Sequence, residues 1–204
     1  MKFGLWFEPE MISADSDLYR AHPDWAIHTP NRPMSLGRDQ YVLDFGRKGI
    51  RDNIFKQLCD VLDHADIDYI KWDMNRNITE LYNADLPANQ QGEASHRYIL
   101  GVYDFMNQLT TRYPNILFEG CSGGGGRFDA GMLAYTPQIW TSDNTDRPNG
   151  SKFNTAPAWY SHRFQWAPTC QKCRIQIPVA RSIFSSGQWS PTPLTWVTNW
   201  IRSH

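Results

Sequence analysis

Short runs of apolar and aromatic residues, each ending in polar or reactive groups, punctuate the chain before residue 147. Residues 3–8 (Phe-Gly-Leu-Trp-Phe-Glu), 68–73, 116–121 (Ile-Leu-Phe-Glu-Gly-Cys) and 139–143 are bounded by turn-forming residues, a pattern that predicts buried parallel strands. Between them Ile54, Phe55, Leu58, Val61 and Leu62 recur at helical spacing, and Tyr98, Ile99, Val102, Met106 and Leu109 do much the same. Strand and helix alternate, so the fold class expected is α/β, built from βαβ units. The chemically useful residues cluster at strand C-termini, where a (β/α)8 barrel or an open doubly wound sheet places its site. Four strands are visible where a barrel needs eight, so the pattern predicts a partial (β/α)8 TIM barrel unless the sheet is open.

Two of these runs carry the chemistry. Tyr69-Ile70-Lys71-Trp72-Asp73-Met74-Asn75-Arg76 passes abruptly from a buried strand to a lysine, a carboxylate and an amide, and Ile139-Trp140-Thr141-Ser142-Asp143-Asn144-Thr145-Asp146 repeats the arrangement. Two carboxylates are the minimum equipment of a glycosidase, and in a retaining one they stand roughly 5–5.5 Å apart. Asp73 suits the nucleophile, because Lys71 two residues earlier favours its ionised form, and Asp143 suits the acid/base. The competing reading makes each aspartate a cap on a following helix.

Cys121-Ser122-Gly123-Gly124-Gly125-Gly126 follows a strand, so its amides could cradle an anion or approach a hydroxylated ligand, or simply make a tight turn. It has neither the Gly-Lys-Ser/Thr ending of a P-loop nor a dinucleotide fingerprint. Cys170 and Cys173 have the spacing of half a zinc site or a redox pair, but no second Cys or His pair accompanies them and no βαβ pattern surrounds them, and chance is the better reading. Cys59 is expected as a buried free thiol. His28 and His64 are read as surface or core residues, and Glu8 and Glu10 as hydrogen-bonding groups at a strand end, either of which could still line the pocket.

Composition narrows the function classes. The 204-residue chain carries a net charge of -1, which argues against a nucleic-acid partner. No run of about 18 apolar residues and no basic-then-apolar leader are visible, so a cytoplasmic location without a membrane partner is expected. Nine Trp, nine Tyr and ten Phe suit stacking on sugar rings and equally suit a large core.

Taken together, Gly4-Leu5-Trp6-Phe7-Glu8-Pro9-Glu10-Met11, Asp15-Ser16-Asp17-Leu18-Tyr19, His22-Pro23-Asp24-Trp25, Lys71-Trp72-Asp73-Met74-Asn75, Cys121-Ser122-Gly123-Gly124-Gly125 and Ser142-Asp143-Asn144-Thr145-Asp146 resemble the bacterial α-galactosidases of glycoside hydrolase family thirty-six. The resemblance implies a retaining hydrolase of terminal α-galactosides such as melibiose and raffinose, with Asp73 as nucleophile and Asp143 as acid/base. It further implies that Arg38, Lys71 and Asn75 hold galactose hydroxyls, that Trp6 packs near the ring, and that Cys121 and Gly124 border the 2-hydroxyl. No metal or organic cofactor is implied, the partners are α-galactoside oligosaccharides, and the family is typically homotetrameric. Transfer to another sugar and action on α-N-acetylgalactosamine are the neighbouring activities.

The family pattern also sets an expectation for what surrounds the match. Members of the family are several times longer, and the chain is expected to begin after the paired-aspartate strand that grips the galactose 4- and 6-hydroxyls. Residues 147–204 lose the strand–helix alternation and gather Trp159, Trp166, Trp189, Trp196 and Trp200. Their codons, shifted by two bases, permit the family's continuation, including Met-Gly-Ala-His-Val across Gln165–Cys170. The expected organisation is therefore a partial catalytic barrel over 1–146 and an out-of-frame tail with no evolved fold over 147–204. The alternative function is an inactive truncated remnant of such an enzyme.

Overall fold

The computed structural model describes residues 2–143 and 165–167. Its elements in chain order are β1 (Gly4–Phe7), β2 (Met11–Ser13), α1 (Asp17–Ala21), β3 (Gln40–Val42), α2 (Lys48–Leu62), β4 (Tyr69–Trp72), α3 (Ala94–Arg112), β5 (Leu117–Gly120), α4 (Ala130–Tyr135), β6 (Gln138–Trp140) and β7 (Gln165–Ala167). Among the described residues they fall into two compact units: those up to Phe7, Ile67–Trp72 and those from Asn115 onward in one, Glu8–Asp66 and Asp73–Pro114 in the other.

The first unit is a mixed parallel α/β arrangement. Its sheet runs β1-β4-β5-β6-β7, every pair parallel. Side chains alternate across it as a strand requires. Ile70, Trp72, Phe118 and Ile139 are buried, whereas Tyr69 and Lys71 of β4, Glu119 of β5 and Gln138 and Trp140 of β6 project from the opposite face. The register sets Trp6 beside Lys71, Lys71 beside Glu119 and Glu119 beside Gln138. Across that row Tyr69 Oη and Gln138 Nε2 (2.7 Å) both donate to Glu119 Oε2. Burial, and then the Glu119 charge, push the Tyr69 hydroxyl well above its ordinary pKa, so it stays a donor. Asp129 caps α4, its Oδ1 accepting the N–H groups of Gly131 and Met132.

The second unit holds the two long helices. Ile50, Ile54, Leu58 and Leu62 form the buried stripe of α2, and Tyr98, Val102, Phe105, Met106 and Leu109 that of α3. The Phe55 and Phe105 rings meet edge to face at 5.6 Å. At the helices' C-terminal ends Arg112 and Tyr113 both donate to the Asp63 carboxylate at 2.7 Å. In the same unit β2 and β3 pair antiparallel, Met11 opposite Val42 and Ser13 opposite Gln40.

The four predicted strands and both predicted helices are present. The last strand is Gln138–Trp140 rather than 139–143, because the Thr141 carbonyl accepts from Gly125 N (3.0 Å) instead of continuing the ladder. The β2–β3 pair has no counterpart in the sequence pattern. Within the expected tail Gln165–Ala167 forms β7 beside β6, while the rest of 147–204, with Cys170, Cys173 and the tryptophans other than Trp166, lies outside the described residues. Cys59 and Cys121 are buried thiols. His28 and His64 are exposed, each ring bonded to a backbone carbonyl four residues away. No helix among the described residues is long and apolar enough to cross a membrane.

Candidate active site

In the first unit the C-terminal ends of β4, β5 and β6 bring Lys71, Cys121, Gly124 and Asp143 into one connected set. Trp140, at the end of β6, makes the connection. Its ring lies under the Lys71 ammonium, 4.2 Å from Nζ to the centroid, and its Nε1–H donates to Asp143 Oδ1 at 3.0 Å. Trp6, the register partner of Lys71 on β1, is 36% exposed, an unusual exposure for so large a ring and one suited to meeting a ligand.

The glycine loop is explained by what it touches. Gly123 and Gly124 have φ of 55° and 92°, which L side chains rarely adopt. A Cβ on Gly124 would stand 2.9 Å from Ser142 Cα, and one on Gly125 would stand 3.1 Å from Thr141 O. Three amides of the loop are already engaged by backbone: Cys121 N to Trp72 O, Ser122 N to Gly124 O and Gly125 N to Thr141 O. These backbone contacts fit the tight-turn reading of the loop better than an anion cradle. Its glycines let it press against the two residues that precede Asp143.

The second unit holds Asp73, Asn75 and Arg38. Asp73 is buried, and its Oδ1 accepts the N–H of Met74 at 2.9 Å. The segment after it is a loop, and the next helical turn begins at Ala88, so Asp73 caps no helix. That removes the capping alternative for this residue; for Asp143 the test would fall on residues 144–164, which lie outside the described ones. Arg38 and Asp39 sit at φ of 54° and 59° between Gly37 and Gln40, which exchange backbone hydrogen bonds. This is a two-residue turn of the type that normally takes Asn-Gly, here displaying an arginine at its tip.

Glu8 and Arg76 hold that turn to the Asn75 loop. Glu8 accepts the Asn75 N–H through Oε1 at 2.7 Å and Gln40 Nε2 through Oε2 at 2.8 Å. Arg76, buried and paired with Glu80 at 3.7 Å, donates to the Ser35 carbonyl, and its side chain lies against Gly37. The expectation that Glu8 is a strand-end hydrogen-bonding group is met. Glu10 is fully buried and accepts from Tyr98 Oη at 2.6 Å. Among the described residues no group of three or more His, Cys, Asp or Glu side chains is placed to hold a metal ion.

Residues 1–154 match the family model described as Melibiase. The chain belongs to that family. Among the melibiase relatives, α-galactosidase Mel36A of Lactobacillus acidophilus is 66% identical over 146 residues, which is 72% of this chain and 20% of that protein. α-Galactosidase AgaA of Geobacillus stearothermophilus is 58% identical over the same length, and its crystal structure superposes with a TM-score of 0.70 over 72% of this chain and 20% of its own. A variant of AgaA solved in complex with raffinose superposes with a TM-score of 0.73 at 56% identity, covering 75% of this chain and 21% of that one. The melibiase match thus spans about a fifth of the length of these relatives. Both are enzymes of the α-galactosidase class, and the resemblance noted from the motifs to glycoside hydrolase family thirty-six is shown.

Proposed function

We propose that this chain carries the catalytic residues of a retaining α-galactosidase, acting on terminal α-galactosyl groups of raffinose-type oligosaccharides. The observation that carries the proposal is the joining of Lys71 to Asp143 through Trp140 at the ends of parallel strands, in a family whose relatives are α-galactosidases. The strand order β1-β4-β5-β6 advances in one direction, as in a barrel, where a doubly wound sheet would reverse. It supports a partial (β/α)8 barrel.

In this reading an Asp73 carboxylate oxygen bonds to the anomeric carbon while the bond to the leaving oxygen breaks, and the Asp143 proton passes to that oxygen. Water deprotonated by Asp143 then displaces Asp73 from the same carbon, so two inversions give retention. Arg38, Lys71 and Asn75 donate to galactose hydroxyls, Trp6 packs on the ring, and Cys121 and Gly124 border the 2-hydroxyl. No cofactor takes part in these steps, and the setting proposed is cytoplasmic. Residues 147–204 are proposed to be out of frame; resequencing across codons 146 and 147 tests this, and an unaltered reading frame overturns it.

The enzymatic test is hydrolysis of a chromogenic α-galactoside by the chain and by Asp73→Ala. Loss of turnover by about 10³-fold or more in the variant is expected. A wild-type chain that folds but turns over no α-galactoside favours the remnant reading instead.

A further inference from the structure

Trp140 stands between two groups that the mechanism uses, and its place there exceeds what core packing asks of a strand residue. It is only half-buried, its plane lies beneath a cation and its one polar atom is aimed at a carboxylate. We propose that Trp140 is the positioning residue of the Asp143 acid/base. The inference rests on the assignment of Asp143 above.

The chemistry depends on which oxygen is held. With Oδ1 accepting the indole N–H, Oδ2 is the oxygen that carries the proton and faces the glycosidic oxygen. As the Oδ2–H bond breaks and the C1–O bond electrons pass to the departing oxygen, negative charge spreads onto Oδ1. The N–H···O bond becomes charge-assisted and strengthens. Trp140 itself forms and breaks no bond; its contact is better in the transition state than in the ground state, which lowers the barrier. The Lys71 ammonium withdraws electron density from the ring face, making the indole N–H a stronger donor, and fixes the ring's tilt. The glycine loop completes the support by pressing Gly124 and Gly125 against Thr141 and Ser142.

The test pairs a spectroscopic readout that needs no turnover with a kinetic one. In the full 204-residue chain labelled with ¹⁵N at its indoles, Trp140→Phe identifies the Trp140 resonance, which is then followed from acid to neutral pH. The expected result is a single carboxylate-type titration, abolished in Asp143→Asn, whose amide oxygen still accepts the N–H, and a displaced resonance in Lys71→Met. A resonance that does not titrate, or that titrates unchanged in Asp143→Asn, overturns the proposal. In kinetics, Trp140→Phe is expected to lower kcat/KM for melibiose by about tenfold or more and for 2,4-dinitrophenyl α-galactoside by less than about twofold, because a good leaving group needs no proton. Equal losses on both substrates would mean a structural role alone. Titration without any turnover sinks the enzymatic assignment and leaves the tie standing; turnover without titration does the reverse.

Discussion

Glu8 and Asn75, 67 positions apart, are joined by a 2.7 Å hydrogen bond from the Asn75 N–H to Glu8 Oε1. The other Glu8 oxygen holds Gln40, so one carboxylate fixes both the loop after β4 and the base of the Arg38 turn. Glu8→Ala is expected to release both. Hydrogen exchange at the Asn75 amide should speed up by about tenfold or more, since a lost charged hydrogen bond is worth roughly 1.5–3 kcal/mol. Glu8→Gln should do much less harm. Gln40 Oε1 lacks a hydrogen-bond partner, and an amide flip would let it accept from the glutamine introduced by that substitution while Asn75 keeps its acceptor. Equal exchange rates in the two variants would contradict this account.

The turn at Arg38 and Asp39 stores backbone strain at both residues. Asp39→Gly should raise the urea midpoint, by about 1 kcal/mol of stability, because glycine adopts positive φ without a Cβ clash. Arg38→Asn should stabilise the turn as well and abolish whatever the guanidinium contributes to sugar binding. Stability unchanged in both variants would mean that the turn relaxes in solution.

Gly123 and Gly124 offer a paired comparison within one loop. A Cβ on Gly123 meets nothing within 4 Å, so Gly123→Ala should cost only the positive-φ penalty, about 1 kcal/mol. On Gly124 the Cβ runs into the Ser142 backbone, so Gly124→Ala should cost clearly more and also displace Asp143. Denaturant midpoints of the two variants, beside the Trp140 indole shift, separate the strain from the displacement.

Asp44 gives the chain a pH-dependent liability. It is buried, accepts the Gly46 N–H at 3.0 Å, and burial raises its pKa to about 6, with Arg47 and the Gly46 bond offsetting only part of that rise. A carboxyl whose folded pKa lies above its unfolded value of 3.8 holds its proton more tightly when folded. Its favourable contribution is therefore complete below pH 3.8 and is lost as pH rises through about 6. Asp44→Asn keeps an acceptor for Gly46 and removes the charge. The variant's advantage in urea unfolding should grow between about pH 4 and pH 7 to on the order of 3 kcal/mol. A difference that is flat across that range would refute the assignment.

The strands and long helices were legible because their signals are local. Four apolar runs end in polar groups, and two stripes repeat at helical spacing. The β2–β3 pair escaped because each strand is only three residues long and their pairing spans 27 positions from Ser13 to Gln40. The tight turn that leads into β3 carries Arg-Asp where a hairpin signal would show Asn-Gly. Lys71, Asp73 and Asp143 were visible as polar residues at the ends of apolar strands. Trp140 was not, because a tryptophan in such a strand is expected to be core, and only the structure shows where its N–H points. One signal was available: Gln138 and Trp140 share a strand face, and Asp143 comes three residues later. Glu8 and Arg76 act through contacts with distant backbone, which leave no periodic trace.

The three-strand contact of Tyr69, Glu119 and Gln138 has a consequence for folding fidelity. Parallel strands of three or four residues, rich in interchangeable apolar side chains, could settle in several registers that differ little in buried area. A two-residue slip of β5 against one neighbour would take the buried Glu119 carboxylate away from that neighbour's donor, at a cost of about 1–3 kcal/mol. The polar trio thus proofreads the alignment of β4, β5 and β6, and so decides whether Lys71 and Trp140 finish at the same height.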